Sequence, residues 1–198
     1  MKTIEQILSQ VPNKRDDKDT TSYKFKNDLY DFFREDKWRE RSILEVSCSK
    51  GYSSYLFSHL FKQVYAVDYQ RNLLDFASKF SQDRGIKNIQ FIQCDIYNAP
   101  YWNKLPSADV VFLDADHRYK SVVYDIRNAW TQSLHKGGYI IIDDYGLPGS
   151  GVHRAVEDLV KENTQLSIVE YIGEPPGSIP FKRKLLDWEG LILMYARG

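Results

Sequence analysis

Hydrophobic positions along the chain change period several times, and each change marks an element. Ile4, Ile7, Leu8 and Val11 recur at helical spacing, which predicts a short opening helix. The charged stretch "PNKRDDKDT", 12–20, interrupts the pattern and reads as a linker or mobile loop. Phe25, Leu29, Phe32 and Phe33 then fall at i, i+4, i+7 and i+8. That spacing predicts an amphipathic helix over roughly 22–36.

From Ser42 the period shortens to alternation. "SILEVSC", "QVYAVD", "NIQFIQCD", "ADVVFLDAD" and "GYIIIDDY" read as strands, the fourth with the continuous apolar core of a strand buried on both faces. Helical stripes separate most of them. One is Tyr52, Tyr55, Leu56, His59 and Leu60; the next is Leu73, Phe76, Ala77 and Phe80. A long one runs from Val122 through Ile126 and Trp130 to Leu134, where "KGG" is expected to close it. Val152, Ala155, Val156, Leu159 and Val160 form another. Repeated strand–helix alternation predicts a doubly wound α/β sheet, mostly parallel. The last two strands, "LSIVEYI" and "GLILMYA", have only "GEPPGSIPFKRKLLDWE" between them. That segment is too proline-rich for a crossover helix, so the last strand is expected to return antiparallel as an edge hairpin. One domain is expected over 1–198: a helical attachment over 1–40 and a core over 42–198.

Composition removes several function classes. Lys+Arg and Asp+Glu are balanced at 27 each, so the basic excess of a nucleic-acid-binding domain is missing. "KRK" at Lys182–Lys184 is the densest basic cluster and reads as a solvated loop. Cys48 and Cys94 cannot form a disulfide framework and make no C-x-x-C. No apolar run approaches the roughly 20 residues that span a bilayer, and the N-terminus has no signal-peptide core. A cytoplasmic protein that contacts neither membrane nor nucleic acid is expected, and oligomerisation is left open.

The chemistry gathers at strand ends. In open parallel sheets, ligands bind beyond the carboxyl ends of the strands. There the chain places Glu45 with the turn Ser47–Gly51, then Asp68, Asp95, Asp114 with Asp116 and His117, and Asp143 with Asp144. Asp68 follows the first turn at about the spacing at which an acid meets ribose hydroxyls in nucleotide-binding folds. Asp95 is placed to accept an amino proton from a base. Asp114, Asp143 and Asp144 are hard oxygen donors suited to Mg²⁺ or a similar divalent cation. His117, three residues past Asp114, is a candidate general base. Asp116 is expected to cap the helix that begins near Tyr119.

Taken in order, "LEVSCSKGYSS", "VYAVD", "QCD", "DVVFLDADHRY" and "GGYIIIDDY" resemble the motif series of class I S-adenosylmethionine-dependent methyltransferases. The resemblance spans about 42–197. It is nearest the small-molecule O-methyltransferases related to macrolide-sugar methyltransferases and cephalosporin-hydroxylase-like proteins. It implies a Rossmann-like sheet of seven strands with the last antiparallel. Glu45, Gly51 and the backbone between them would approach the methionine portion of S-adenosylmethionine. Asp68 would hold the ribose, and Asp95 with Ile96 the adenine. Ser47, Tyr52, Ser53, Tyr69 and Asp114 complete the implied cofactor set. In metal-dependent members, acids matching Asp114, Asp143 and Asp144 bind the cation and a histidine matching His117 acts as base. The chain departs from the pattern at Ser47 and Ser49, where glycine is usual and frequent respectively.

The function expected is therefore O-methylation of a small hydroxylated molecule, with Asp114 and His117 catalytic. The N-terminal region through about Trp38 and the "GEPPGSIPFKRKLLDWE" segment are expected to select the acceptor. A cofactor-binding protein without turnover is the first rival. A nicotinamide-dependent oxidoreductase is weaker, because the chain has no G-x-G-x-x-G.

Overall fold

The computed structural model describes residues 2–18, 20–98, 101–180 and 182–196. Arg197, at the end of the span that resembles methyltransferases, lies outside them. Two helices, α1 (Ile4–Leu8) and α2 (Tyr23–Phe33), come first. Ser22 caps α2: its hydroxyl accepts a hydrogen bond from the Phe25 amide at 3.0 Å, satisfying one of the free N–H groups of the first turn. The core then alternates β1 (Ser42–Val46), α3 (Tyr52–Phe57), β2 (Gln63–Asp68), α4 (Arg71–Gln82), β3 (Ile89–Gln93), β4 (Ala108–Leu113), α5 (Tyr119–Asn128), β5 (Leu134–Ile142), α6 (Val152–Glu162), β6 (Leu166–Ile172) and β7 (Gly190–Tyr195).

The seven strands form one sheet in the order β3-β2-β1-β4-β5-β7-β6. β1 to β5 pair in parallel, while β7 runs antiparallel to both β5 and β6. The expected reversal of the last strand is present, but not as an edge hairpin. β7 enters between β5 and β6, and β6 is the edge. The sequence supports this placement: "GLIL" is buried without a break, whereas β6 exposes Val169 and Tyr171.

Strand alternation builds two cores. Ile43, Val110, Ile141 and Ile192 face one side, where Phe25, Leu29 and Phe33 of α2 and Tyr55 and Leu56 of α3 cover them. Leu44, Val111, Ile140 and Leu193 face the other side, against Val122 and Ile126 of α5 and Val156 and Leu159 of α6. The period of two along the strands thus becomes a layered α/β/α body.

One boundary differs from expectation. α5 stops at Asn128, a π-helical turn spans Ala129–Ser133, and Leu134 already pairs with Ala108 as the start of β5. The register jumps between Ala108 and Val110, so the "KGG" residues form a bulge within the strand. Gly137 has φ +74°, a conformation costly for other residues. Among the described residues, no helix is long and apolar enough to cross a membrane.

Candidate functional site

The turn after β1 is the first wall of the site. Ser47, Ser49 and Gly51 have φ of +67°, +47° and +73°. Every second residue therefore takes the left-handed conformation that glycine adopts freely. An L-residue there costs about 1–2 kcal/mol. The serines are held by the turn's hydrogen bonds: Cys48 N to Val67 O at 2.9 Å, Gly51 N to Cys48 O at 2.8 Å, and Ser49 N to Asp68 Oδ2 at 2.9 Å. We expect the double variant Ser47→Gly, Ser49→Gly to gain about 1 kcal/mol after the entropy cost of glycine, and about 2–4 °C in thermal melting. An unchanged or lower midpoint would mean that the serine hydroxyls contribute more than the strain costs.

Glu45 lies beneath this turn, 2% exposed, and accepts a short hydrogen bond from the Ser54 hydroxyl of α3. Burial is the main cause that pushes its carboxyl up to about 8, with Asp114 and Asp68 adding to the rise against the Ser54 bond. The folded state holds this proton over a pH range where the unfolded chain has released it. Stability from Glu45 is therefore complete below about pH 4.5 and declines as pH rises toward 8. Glu45→Gln should flatten that decline; melting curves from pH 5 to 8 with parallel slopes in both proteins would count against it.

Beyond the turn opens a cavity of about 380 Å³. Ser47, Asp68, Tyr69, Asp95 and Ile96 line it, five of the residues expected to hold cofactor. Asp68 is fixed by amide donation from Ser49 to Oδ2 and from Gln70 to Oδ1, at 2.9 and 2.8 Å. Val46, Val67, Cys94, Tyr97, Ala115 and Asp116 complete the lining; of these, only Cys94 and the strand-end acid Asp116 had been singled out from the sequence. The Tyr97 hydroxyl donates to Asp125 Oδ2 at 2.8 Å and accepts from the Asp116 amide at 3.2 Å, joining the ends of β3 and β4. Asp116 also accepts from the Arg118 amide and the Ser121 hydroxyl, so it orders the start of α5 while walling the cavity. Glu45, Gly51, Tyr52, Ser53 and Asp114 are not among the lining residues. Tyr52 packs edge-on against Phe76 and Phe80 of α4. At Gly51 a Cβ would stand 2.7 Å from that of Ala77.

The second half of the site follows β4 and β5. The Asp143 amide donates to Leu113 O at 3.2 Å, which sets Asp114 and Asp143 side by side. Asp144 takes φ +54°, a conformation aspartate tolerates better than most residues. Ligand atoms of Asp114, His117 and Asp144 lie within 4.8 Å of one another. His117 stands between the acids, Nε2 3.5 Å from Asp114 Oδ1 and Nδ1 3.5 Å from Asp144 Oδ2. The His117 carbonyl accepts from the Gly151 amide at 2.7 Å. A Cβ at Gly151 would lie 2.1 Å from Tyr119 N, so only glycine allows α6 to start this close.

The convergent group is not the three carboxylates expected from the sequence. Asp143 faces Lys14 instead. The Lys14 ammonium lies 2.8 Å from Asp144 Oδ1, 3.7 Å from Asp143 Oδ2 and 3.5 Å from Glu189 Oε1, and the residue is 8% exposed. Burial alone would lower its pKa, but the three carboxylates together hold it well above the usual value. Burial raises Asp143 far above the carboxylate range, with Lys14 opposing. For His117, burial works downward, but hydrogen bonding to Asp114 and the charges of Asp144, Asp114 and Asp143 prevail, pushing it up to about 9. Glu189, fully buried, accepts from the Ser22 amide and hydroxyl at 3.0 and 2.5 Å. Lys26, also fully buried, donates to Thr20 Oγ1 and to the Thr21 carbonyl and hydroxyl. The "linker" 12–20 is thus an ordered strap, apart from the undescribed Asp19, and its lysine enters the acid cluster. Asp143 Oδ1 is buried without a hydrogen-bond partner, and His117 Nε2, also buried, has only the 3.5 Å approach to Asp114 Oδ1.

A parallel α/β/α sheet with one reversed strand, a turn-bounded cavity at its carboxyl edge and acids on successive strands define the fold of class I S-adenosylmethionine-dependent methyltransferases. Residues 44–145 match the family described as methyltransferase domain, and the chain belongs to it. The O-methyltransferase TomG of Streptomyces achromogenes, involved in tomaymycin synthesis and solved with S-adenosylmethionine, superposes with TM-score 0.69 at 15% identity, covering 98% of this chain and 89% of that one. The methyltransferase PaMTH1 of Podospora anserina, solved with S-adenosylhomocysteine, gives 0.68 at 16% identity over 98% and 86%. The uncharacterized methyltransferase YcgJ of Bacillus subtilis is 23% identical over 107 residues, 54% of this chain and 42% of that protein. The match thus spans less than half the length of that curated relative.

Proposed function

We propose that the protein is an S-adenosylmethionine-dependent O-methyltransferase acting on a hydroxyl of a small molecule. The observation that carries this reading is a shared wall. Ala115 and Asp116 line the 380 Å³ cavity on one side and, on the other, a second cavity of about 690 Å³ that contains His117. A donor held by Asp68 and Asp95 and an acceptor beside His117 would meet at the rim that these two residues share.

The first cavity suits S-adenosylmethionine. It offers the Asp68 and Asp95 carboxylates for ribose and base, and Val46, Val67 and Ile96 as an apolar bed. The bound cofactor would supply an electrophilic methyl group on a positively charged sulfur. The chain's part is alignment and proton removal. An acceptor hydroxyl at His117 would pass its proton to the imidazole as its oxygen bonds to the methyl carbon and the carbon–sulfur bond breaks, its electron pair leaving with the sulfur as the neutral thioether S-adenosylhomocysteine. The surrounding acids favour the protonated imidazole, and a nearby sulfonium, a like charge, works in the opposite direction.

The residues present do not suit a resident divalent ion while Lys14 occupies the cluster. Its ammonium already contacts Asp144, and Asp143 faces it rather than the convergent group. The second reading, Mg²⁺ held by Asp114, His117 and Asp144, draws on the convergence of their ligand atoms and requires Lys14 to withdraw. Calorimetric titration with S-adenosylmethionine, then an S-adenosylhomocysteine assay over a hydroxylated acceptor panel with and without chelator, separates the readings. Binding and product in both conditions support metal-free methylation, and product lost in chelator favours Mg²⁺. Donor binding with no product from any acceptor would leave the chain a binding protein.

A further inference from the structure

The carboxyl groups around Lys14 form a cage. Asp143 Oδ2, Asp144 Oδ1 and Glu189 Oε1 approach its ammonium to 3.7, 2.8 and 3.5 Å. Asp143 and Asp144 follow β5, Glu189 precedes β7, and all three are buried. The chain satisfies these acids unequally. Glu189 accepts from the amides of Ser22 and Glu174 and from the Ser22 hydroxyl. Asp144 Oδ2 faces His117. Asp143 Oδ1, in a residue 3% exposed, has no hydrogen-bond partner. Hard oxygens gathered in this way are the donor set of a divalent cation, and clustered carboxylates repel until a cation joins them. Beside the cage lies a cavity of about 360 Å³, lined by Lys14, His117 and Asp144 and, from the flanks of the chain, by Lys18, Lys182 and Arg183.

We propose that Asp143, Asp144 and Glu189 are a cation site whose resident is the Lys14 ammonium, and that Lys14 and a divalent ion exclude one another there. The strap delivers the ammonium from an ordered backbone. The Asp16 and Asp17 amides donate to the Asn13 carbonyl, the Tyr23 amide donates to Asn13 Oδ1, and Lys26 fastens Thr20 and Thr21. A charge tethered in this way acts at a high effective concentration, against which a free ion must compete. A divalent ion reaches the oxygens of Asp143 and Asp144 only while Lys14 is undocked, so its apparent affinity is reduced by that fraction. Removing Lys14 lifts the reduction and turns the cage into a divalent-metal site. The cage would behave this way whatever reaction His117 serves, so the inference does not rest on methyl transfer.

The test titrates the full chain with Mn²⁺ and follows the free ion by electron paramagnetic resonance. Lys14→Ala should bind Mn²⁺ at least about tenfold more tightly than the parent. At about ten times its dissociation constant for the variant, Mn²⁺ should raise the variant's melting midpoint by about 3 °C and the parent's by less than about 1 °C. Adding Asp144→Asn to Lys14→Ala should abolish the gain. If Lys14→Ala does not fold, Lys14→Gln replaces it, removing the charge while keeping much of the length. Three results would each overturn the proposal: a parent that binds Mn²⁺ as tightly as the variant, a variant with no gain, or a gain that survives Asp144→Asn. None of these measurements uses an acceptor or a methylated product. They stay separate from failure of methylation, which would show as donor binding without product from any acceptor.

Discussion

Replacing His117 by alanine is expected to lower methyl transfer by about 10²- to 10⁴-fold, the usual contribution of a positioned acid–base group. Donor affinity should stay within about twofold, because the interaction lost is made only with the acceptor. The geometry separates these quantities: His117 lines the acceptor-side cavities and not the one bounded by Ser47, Asp68 and Asp95. Single-turnover rates with a hydroxylated acceptor that the parent methylates, set beside calorimetry with S-adenosylmethionine, would check both. Turnover within a factor of three of the parent would remove His117 from the reaction.

Lys14→Met should be the most destabilising substitution in the strap. It keeps much of the side-chain volume but leaves Asp143, Asp144 and Glu189 without their cation. Breaking a buried ion pair by removing one partner costs about 3–5 kcal/mol. For a chain of this size that lowers the melting midpoint by roughly 6–20 °C. Turnover should fall as well, because the same ammonium orders the carboxylates that hold His117. A midpoint within about 1 °C of the parent would show that the acids neutralise themselves by protonation, and that Lys14 is not their counter-ion.

The contrast between these residues shows what the sequence made legible. His117, Asp68, Asp95 and the acids of β4 and β5 could be found because each sits at the end of a strand with a strong local pattern. Parallel pairing then brings those ends to one edge. The sheet was readable for the same reason, including the reversal of β7 after a proline-rich connection. Its insertion between β5 and β6 was not, since a strand's neighbours depend on tertiary pairing; the unbroken apolar run "LIL" is consistent with an interior position but does not by itself assign one. The "KGG" bulge was misplaced because glycines after a helical stripe read equally well as a helix stop.

Lys14 was invisible for a deeper reason. Its partner Asp144 is 130 positions away, and "PNKRDDKDT" has the composition of a solvated loop. Burial of a lysine leaves no local periodicity. Lys26 on α2, also fully buried, is equally unmarked by the spacing of Phe25, Leu29, Phe32 and Phe33 around it. Tyr97 had a clearer position, two residues past the strand-end Asp95, and needed only the geometry of the β3 and β4 ends to join Asp116 at the cavity.

The strap also divides the molecule by inheritance. The segment matching the family, 44–145, contains every residue of the donor cavity together with His117 and the acids of β4 and β5. Lys14, Lys18, Lys182, Arg183 and Glu189 all lie outside it. Under the proposed methyl transfer, the donor side would be built from the middle of the chain and the surroundings of the acceptor partly from its flanks, so the flanks could diverge toward a new acceptor while the middle is left as it stands.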